Sequence, residues 1–161
     1  MTLDTSHMNL LRAATVAVVG LAIYTGSIVR AAQPRVIELT QVGCQFTESE
    51  NGTNHGFKTT SKADCEAINT RTGEERLARA KTLELAPGKY IFRVKNENVP
   101  YSLGFYLRGD GLVNYATLPK VSGGGLDLGV TKDYEIELKP GEYVYSCPLN
   151  PTPDYKLVVQ G

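Results

Sequence analysis

The sequence predicts an all-β fold: a two-sheet β-sandwich with a short helical insertion, preceded by one hydrophobic helix. Three observations carry this reading. From residue 35 onward, short runs alternate apolar and polar residues with period two, the signature of half-buried strands. The phrase Glu-Leu-x-Pro-Gly-x-Tyr occurs twice, at Glu84–Tyr90 and at Glu137–Tyr143, and each Pro-Gly pair suits a tight strand-turn-strand corner. One uncharged, mostly apolar stretch stands ahead of the first run.

That stretch, residues 13–29, lies between Arg12 and Arg30 and covers about 25 Å as a helix, the short end of a bilayer span. It is expected to be a membrane anchor reaching the lipid bilayer through residues 13–29, with a cleaved signal peptide as the rival, since Val29-Arg30-Ala31 is a passable cleavage site. Ala13/Ala17 and Ala22/Gly26 are small residues four apart, a spacing that lets a second helix approach and that membrane helices also carry by composition. Arg12 on one side and Arg30 with Arg35 on the other leave orientation open by charge. The chain thus divides into 1–34, tail and anchor or signal peptide, and one domain over 35–161.

Seven strands are expected in that domain: 36–42, 82–86, 90–95, 102–108, 132–138, 142–147 and 155–160. In 90–95, Tyr90, Phe92 and Val94 face one way and Ile91, Arg93 and Lys95 the other. Residues 47–81 break the pattern. They are polar and carry two capping-box spacings, Ser61-x-x-Asp64 and Thr72-x-x-Glu75, so two helices are expected there. Their small apolar residues, Ala63, Cys65, Ala67 and Ile68, then Leu77, Ala78 and Ala80, are expected to face the sandwich. The run Ser122-Gly123-Gly124-Gly125 lacks the Lys-Ser/Thr of a phosphate-binding loop and reads as a flexible loop.

Composition excludes some function classes. The 17 basic and 17 acidic residues cancel, so no net field draws the chain to nucleic acid. Of two histidines, His7 lies in the N-terminal tail and His55 in a polar loop, where a lone imidazole is usually solvated and idle. With one histidine in the domain there is no nucleophile-base motif to nominate, and the chain is not expected to be an enzyme. The carboxylate pairs Glu48/Glu50, Glu74/Glu75 and Glu135/Glu137 read as solvated faces. Tyr101, Tyr106 and Tyr115 are candidates for a contact surface, with core packing as the alternative. Three cysteines in an exported domain imply one disulfide and one leftover thiol.

The runs Tyr90-Ile91-Phe92-Arg93-Val94-Lys95-Asn96 and Leu103-Gly104-Phe105-Tyr106-Leu107, with Pro140-Gly141-Glu142-Tyr143-Val144-Tyr145-Ser146-Cys147 and Lys156-Leu157-Val158-Val159, resemble a cupredoxin. The likeness is nearest to the cupredoxin domain of periplasmic ferrous-iron uptake proteins, where one cysteine lies late in the first strand, as Cys44 does, and another follows the Pro-Gly-x-Tyr corner, as Cys147 does. It covers 35–161 without the insertion and implies a Greek-key topology. The resemblance brings Cys44 beside Cys147 and so favours that disulfide, closing a loop of about 100 residues for roughly 4–5 kcal/mol. Cys44 with Cys65 is the rival pairing.

A blue-copper centre needs two imidazoles and a thiolate. Where the family's histidines stand, this chain has Pro100-Tyr101-Ser102 and Pro148-Leu149-Asn150-Pro151-Thr152-Pro153, so no type-1 copper and no cofactor is expected. The resulting expectation is a non-catalytic accessory subunit, single-pass in the inner (cytoplasmic) membrane, with its C-terminal domain in the periplasm. It would dock on and stabilise membrane-embedded subunits of a larger complex such as a photosynthetic reaction centre or respiratory complex. The alternative is a copper- or iron-handling protein using reduced Cys44 and Cys147 with nearby carboxylates.

Overall fold

The computed structural model describes Met1 and residues 33–161, so the expected anchor at 13–29 lies outside the described residues. Nine strands form two sheets: β1 (Arg35–Val42), β2 (Gln45–Phe46), β3 (Leu83–Leu85), β4 (Gly88–Asn96), β5 (Leu103–Gly109), β6 (Val121–Leu126), β7 (Thr131–Leu138), β8 (Gly141–Ser146) and β9 (Tyr155–Val159). One sheet has the order β2-β1-β4-β7 and the other β3-β9-β8-β5-β6. The seven expected strands are all present, within one or two residues at most ends.

Alternation along β4 and β7 places Tyr90, Phe92, Val94, Tyr134, Ile136 and Leu138 in the core between the sheets. Rings fill much of it. Phe105 stacks on Phe92 with centroids 5.5 Å apart and lies 5.1 Å from Tyr134, while Phe46 meets Tyr145 edge-on at 5.7 Å.

The repeated corner phrase has a common hydrogen bond. Tyr90 Oη donates to the Ala86 carbonyl and Tyr143 Oη to the Lys139 carbonyl, each at 2.9 Å, so each ring folds back onto the residue before its proline. Gly88 and Gly141 follow those prolines with φ of 139° and 150°, positive values that L side chains rarely adopt.

Register gives the sandwich two distinct ends. Arg35 pairs with Tyr90 and Gly88 with Leu138, while Gly141 pairs with Val159 and Tyr143 with Gly109. One end, the entry pole, therefore gathers the start of β1, both Pro-Gly corners and the end of β5. The other, the cysteine pole, gathers the ends of β1, β4 and β8.

Three expectations are corrected. Besides a 3-10 turn at Glu48–Glu50, the insertion holds one α-helix, α1 (Lys62–Arg79), because the Thr72 hydroxyl bonds the Ile68 carbonyl at 2.9 Å inside the helix and starts no second one. Its start is as read, with Asp64 Oδ2 accepting from Ser61 N at 3.0 Å. The buried face is not the small apolar one: Cys65, Gly73 and Arg76 are buried, whereas Ala63, Ala67, Leu77 and Ala78 are exposed. The Ser122–Gly125 run is strand, part of β6. Glycine is required because a Cβ on Gly104 would lie 2.8 Å from the Gly123 carbonyl oxygen, and one on Gly123 would lie 2.9 Å from the Tyr134 ring. A second helix, α2 (Gly111–Thr117), was not anticipated.

The disulfide joins Cys44 to Cys65, with Cα atoms 5.0 Å apart, and Cys147 is free and buried, so the pairing of Cys44 with Cys147 is overturned. The first turn of α1 carries Cys65 to the loop after β1, where it meets Cys44. With its ends 21 positions apart in sequence, this bridge stabilises by about 3 kcal/mol in the chain-entropy model. Cys65→Ser should lower unfolding stability by about that amount in denaturant titration. Non-reducing peptide mapping of the native protein should recover Cys44 linked to Cys65. Tyr90→Phe and Tyr143→Phe should each cost about 1 kcal/mol in the same titration.

Candidate functional site

At the cysteine pole the backbone of four elements converges on three side-chain amides. Asn96, at the end of β4, donates through Nδ2 to the carbonyls of Val99 at 3.0 Å and Leu126 at 3.1 Å, and accepts from Val99 N at 2.9 Å. Asn150 accepts from Cys44 N at 3.1 Å and donates to the Val42 carbonyl at 3.0 Å. Gln41 Nε2 donates to the Gly104 carbonyl at 2.8 Å. Cys147 follows β8 in their midst, its Sγ accepting from Asn150 N at 3.2 Å and Gly104 N at 3.4 Å. Burial pushes the thiol up, outweighing those hydrogen bonds, so Cys147 is held as a neutral thiol.

These residues do not fit a blue-copper centre. The Gln41 Oε1 oxygen is buried without a partner among the described residues, but one thiol and one amide oxygen do not make the nitrogen-sulfur set that copper requires. His55, the histidine of the domain, is engaged elsewhere. Among the described residues no group of three or more His, Cys, Asp or Glu is arranged to hold a metal ion. The disulfide also withdraws Cys44 from any soft-ligand role.

A second polar cluster lies under α1. Glu50 is buried, and its carboxylate accepts from Arg76 Nη2 at 2.6 Å, from Arg76 Nε at 3.1 Å and from the Tyr155 hydroxyl. His55 Nε2 lies 2.6 Å from Glu50 Oε2, and Arg76 continues to Asn69 Oδ1 and the Cys44 carbonyl, both at 2.9 Å. Glu50 is thus not part of a solvated face and His55 is not idle. Burial alone would raise the Glu50 carboxyl; the bonds from Arg76, Tyr155 and His55 and the Arg76 charge outweigh it and hold the carboxyl below its ordinary value. Burial first, and the Glu50 carboxylate second, push the Tyr155 phenol above the ordinary phenolic range. A cavity of about 420 Å³ opens beside the cluster, lined by His55, Phe57, Thr72 and Arg79 among others. No sequence motif announced this site, because its members are 5, 26 and 105 residues from Glu50.

The three candidate tyrosines separate. Tyr101 is half-buried at the cysteine pole, its hydroxyl 3.2 Å from Asn150 Oδ1. Tyr106 and Tyr115 meet on the outside of the second sheet, with hydroxyls 3.2 Å apart, Arg108 over the first ring and Lys120 over the second. Beside Tyr106, a groove of about 380 Å³ runs between the β6 glycines and Leu149.

Two sheets with this topology and a cysteine after the penultimate strand define a cupredoxin-like domain. Among solved structures, auracyanin B is similar at a TM-score of 0.50 and 14% identity, over 84% of this chain and 96% of that one. Auracyanin A, a blue copper protein from the green thermophilic photosynthetic bacterium Chloroflexus aurantiacus, gives 0.41 and 17% over 79% and 99%. Fet3p, a multicopper oxidase that functions in iron import, gives 0.42 and 13% over 84% of this chain and 33% of its own. No family model and no curated protein matches the sequence. At these identities the likeness speaks to the fold alone.

Removing one member of the buried pair, as in Arg76→Met, should cost about 3–5 kcal/mol of stability. Because the folded Glu50 carboxyl is held below its ordinary value, its contribution is fully present above the unfolded pKa and is lost as pH falls through the folded one. Urea midpoints followed from neutral pH into the acid range should therefore fall, and Glu50→Gln should flatten that dependence. Cys147 should resist alkylation in the native state and react on unfolding, as thiol titration with and without urea would record.

Proposed function

We propose that this chain is a non-catalytic, membrane-tethered accessory subunit whose cupredoxin-like domain docks on a larger membrane-embedded complex in the periplasm and stabilises it. The observation that supports this reading is the cysteine pole. Where the fold of copper proteins would place metal ligands, Asn96, Asn150 and Gln41 hold the loops by hydrogen bonds and Cys147 is a buried thiol. A sandwich kept intact around such a pole retains its surface as the feature available for function. The apolar stretch at 13–29 supports the tether. A bioenergetic assembly such as a photosynthetic reaction centre or respiratory complex is the favoured host class, on the fold's association with electron transfer alone. Metal handling through Cys44 and Cys147 is disfavoured, because Cys44 is bound to Cys65.

The contact surface in this reading is the Tyr106–Tyr115 pair with the adjoining groove. Rings with hydroxyl ends are favoured anchors at interfaces, and the pair lies beside β6, the edge strand of its sheet. Gentle extraction from native membranes should recover the chain with stoichiometric partner subunits. Tyr106→Ala should weaken that association about fivefold or more, as for a residue contributing at least 1 kcal/mol. Recovery as a stable monomer with bound copper or iron would count against the proposal.

A further inference from the structure

Helix α2 is built at a surface but packs nothing away. None of its seven residues is buried, Leu112 is 91% exposed and Val113 75% exposed, and Tyr115 stands beside them. Two adjacent aliphatic side chains so far in solvent at a helix tip are costly to leave uncovered. Lys120 lies over the Tyr115 ring, its ammonium 4.1 Å from the centroid, placing an aromatic ring and a cation at the edge of the apolar tip. That combination suits the bilayer interface, where aliphatic groups enter the acyl boundary while tyrosine and lysine remain at headgroup level.

The topology says which surface lies nearby. α2 follows the end of β5, where Gly109 pairs with Tyr143, and Leu118 just beyond α2 packs over Gly141. Gly141 belongs to the Pro-Gly corner at the entry pole, where β1 begins at Arg35. The apolar stretch that reads as a membrane anchor ends before Arg30, only five residues from Arg35. The strand end from which α2 projects therefore lies at the same pole of the sandwich as Arg35, which follows the apolar stretch by only a few residues in sequence.

We infer that α2 is a second membrane contact: Leu112 and Val113 insert into the headgroup-acyl boundary of the lipid bilayer and fix the domain with its entry pole toward the membrane. The cysteine pole, at the far end of β4, then faces away. This rests on the tethered reading, and the test separates the two. The chain contains no tryptophan, so Leu112→Trp and Leu149→Trp each install a single fluorescent reporter, both at exposed positions, one at each pole.

Each full-length variant would be reconstituted into phosphatidylcholine vesicles, with and without brominated acyl chains. The reporter at 112 is expected to emit blue-shifted and to lose most of its intensity to the brominated lipid, while the reporter at 149 emits as in water and is unaffected. Flotation with the vesicles but no quenching at 112 would overturn the lipid contact and leave the tether standing. A blue shift without quenching would also overturn it, assigning α2 to another copy of the chain. Equal quenching at both positions would overturn the stated orientation. Failure of the full chain to float would remove the tether and the inference with it.

Discussion

The ion pair between Glu50 and Arg76 is the constraint to which the rest of the cysteine-pole side of the domain answers. An uncompensated buried carboxylate is costly, so Glu50 requires partners from every element around it. It takes the guanidinium of α1, the hydroxyl of Tyr155 on β9 and the imidazole of His55. The same guanidinium reaches the Cys44 carbonyl, so the ion pair and the disulfide act on one junction. α1 is thereby fixed twice, by a covalent bond at its first turn and by a charged one near its last. Its inner face is consequently polar, running Cys65, Asn69, Gly73, Arg76.

This explains which parts of the architecture were legible in the sequence. Period-two alternation reports burial on one face of a strand, and in β4 and β7 the burial is apolar, so pattern and structure coincide. In α1 the buried stripe is Cys65, Gly73 and Arg76, and a search for apolar residues at helical spacing selects the opposite side. The glycines of β6 misled for a related reason. They record how closely β5 and the Tyr134 ring approach, a tertiary demand that looks like loop composition when read locally. The Cys44–Cys147 pairing came from a resemblance that does not cover the insertion, the segment that carries Cys65. Of the candidate site, Cys147 could be named in advance only as the partner of Cys44, which it is not, and Tyr101, Tyr106 and Tyr115 only as candidates for a contact surface. Glu50 could not be, because its partners are assembled by three separate elements.

The cysteine pole raises the question of what holds its loops if not a metal. Asn96 joins the end of β4 to the loop at Val99 and to the end of β6, and Asn150 joins the loop after β8 to the end of β1. Each amide uses both a donor and an acceptor toward the backbone, so the connections are directional and satisfied. Two asparagines thus provide a cross-link of the kind that ligands to a shared ion would provide, without requiring an ion to be bound for the loops to close. Only Gln41 Oε1 is left unpaired among the described buried side-chain atoms, a small residue of imperfection in an otherwise closed network.

The two poles therefore do different work. One is rigidified by the disulfide, the amides and the nearby ion pair, and the other is shaped by two Pro-Gly-x-Tyr corners and by a helix that buries none of its residues. The nine residues of β4 separate them by roughly 25–30 Å. At that distance, changes at one end leave the energetics of the other nearly untouched. An exposed apolar helix tip can then persist at the entry pole without weakening the fold, because the interactions that determine stability are concentrated in the core and at the opposite end. In the tethered reading proposed above, that separation is what leaves the helix tip available for contact without cost to the pole that holds α1.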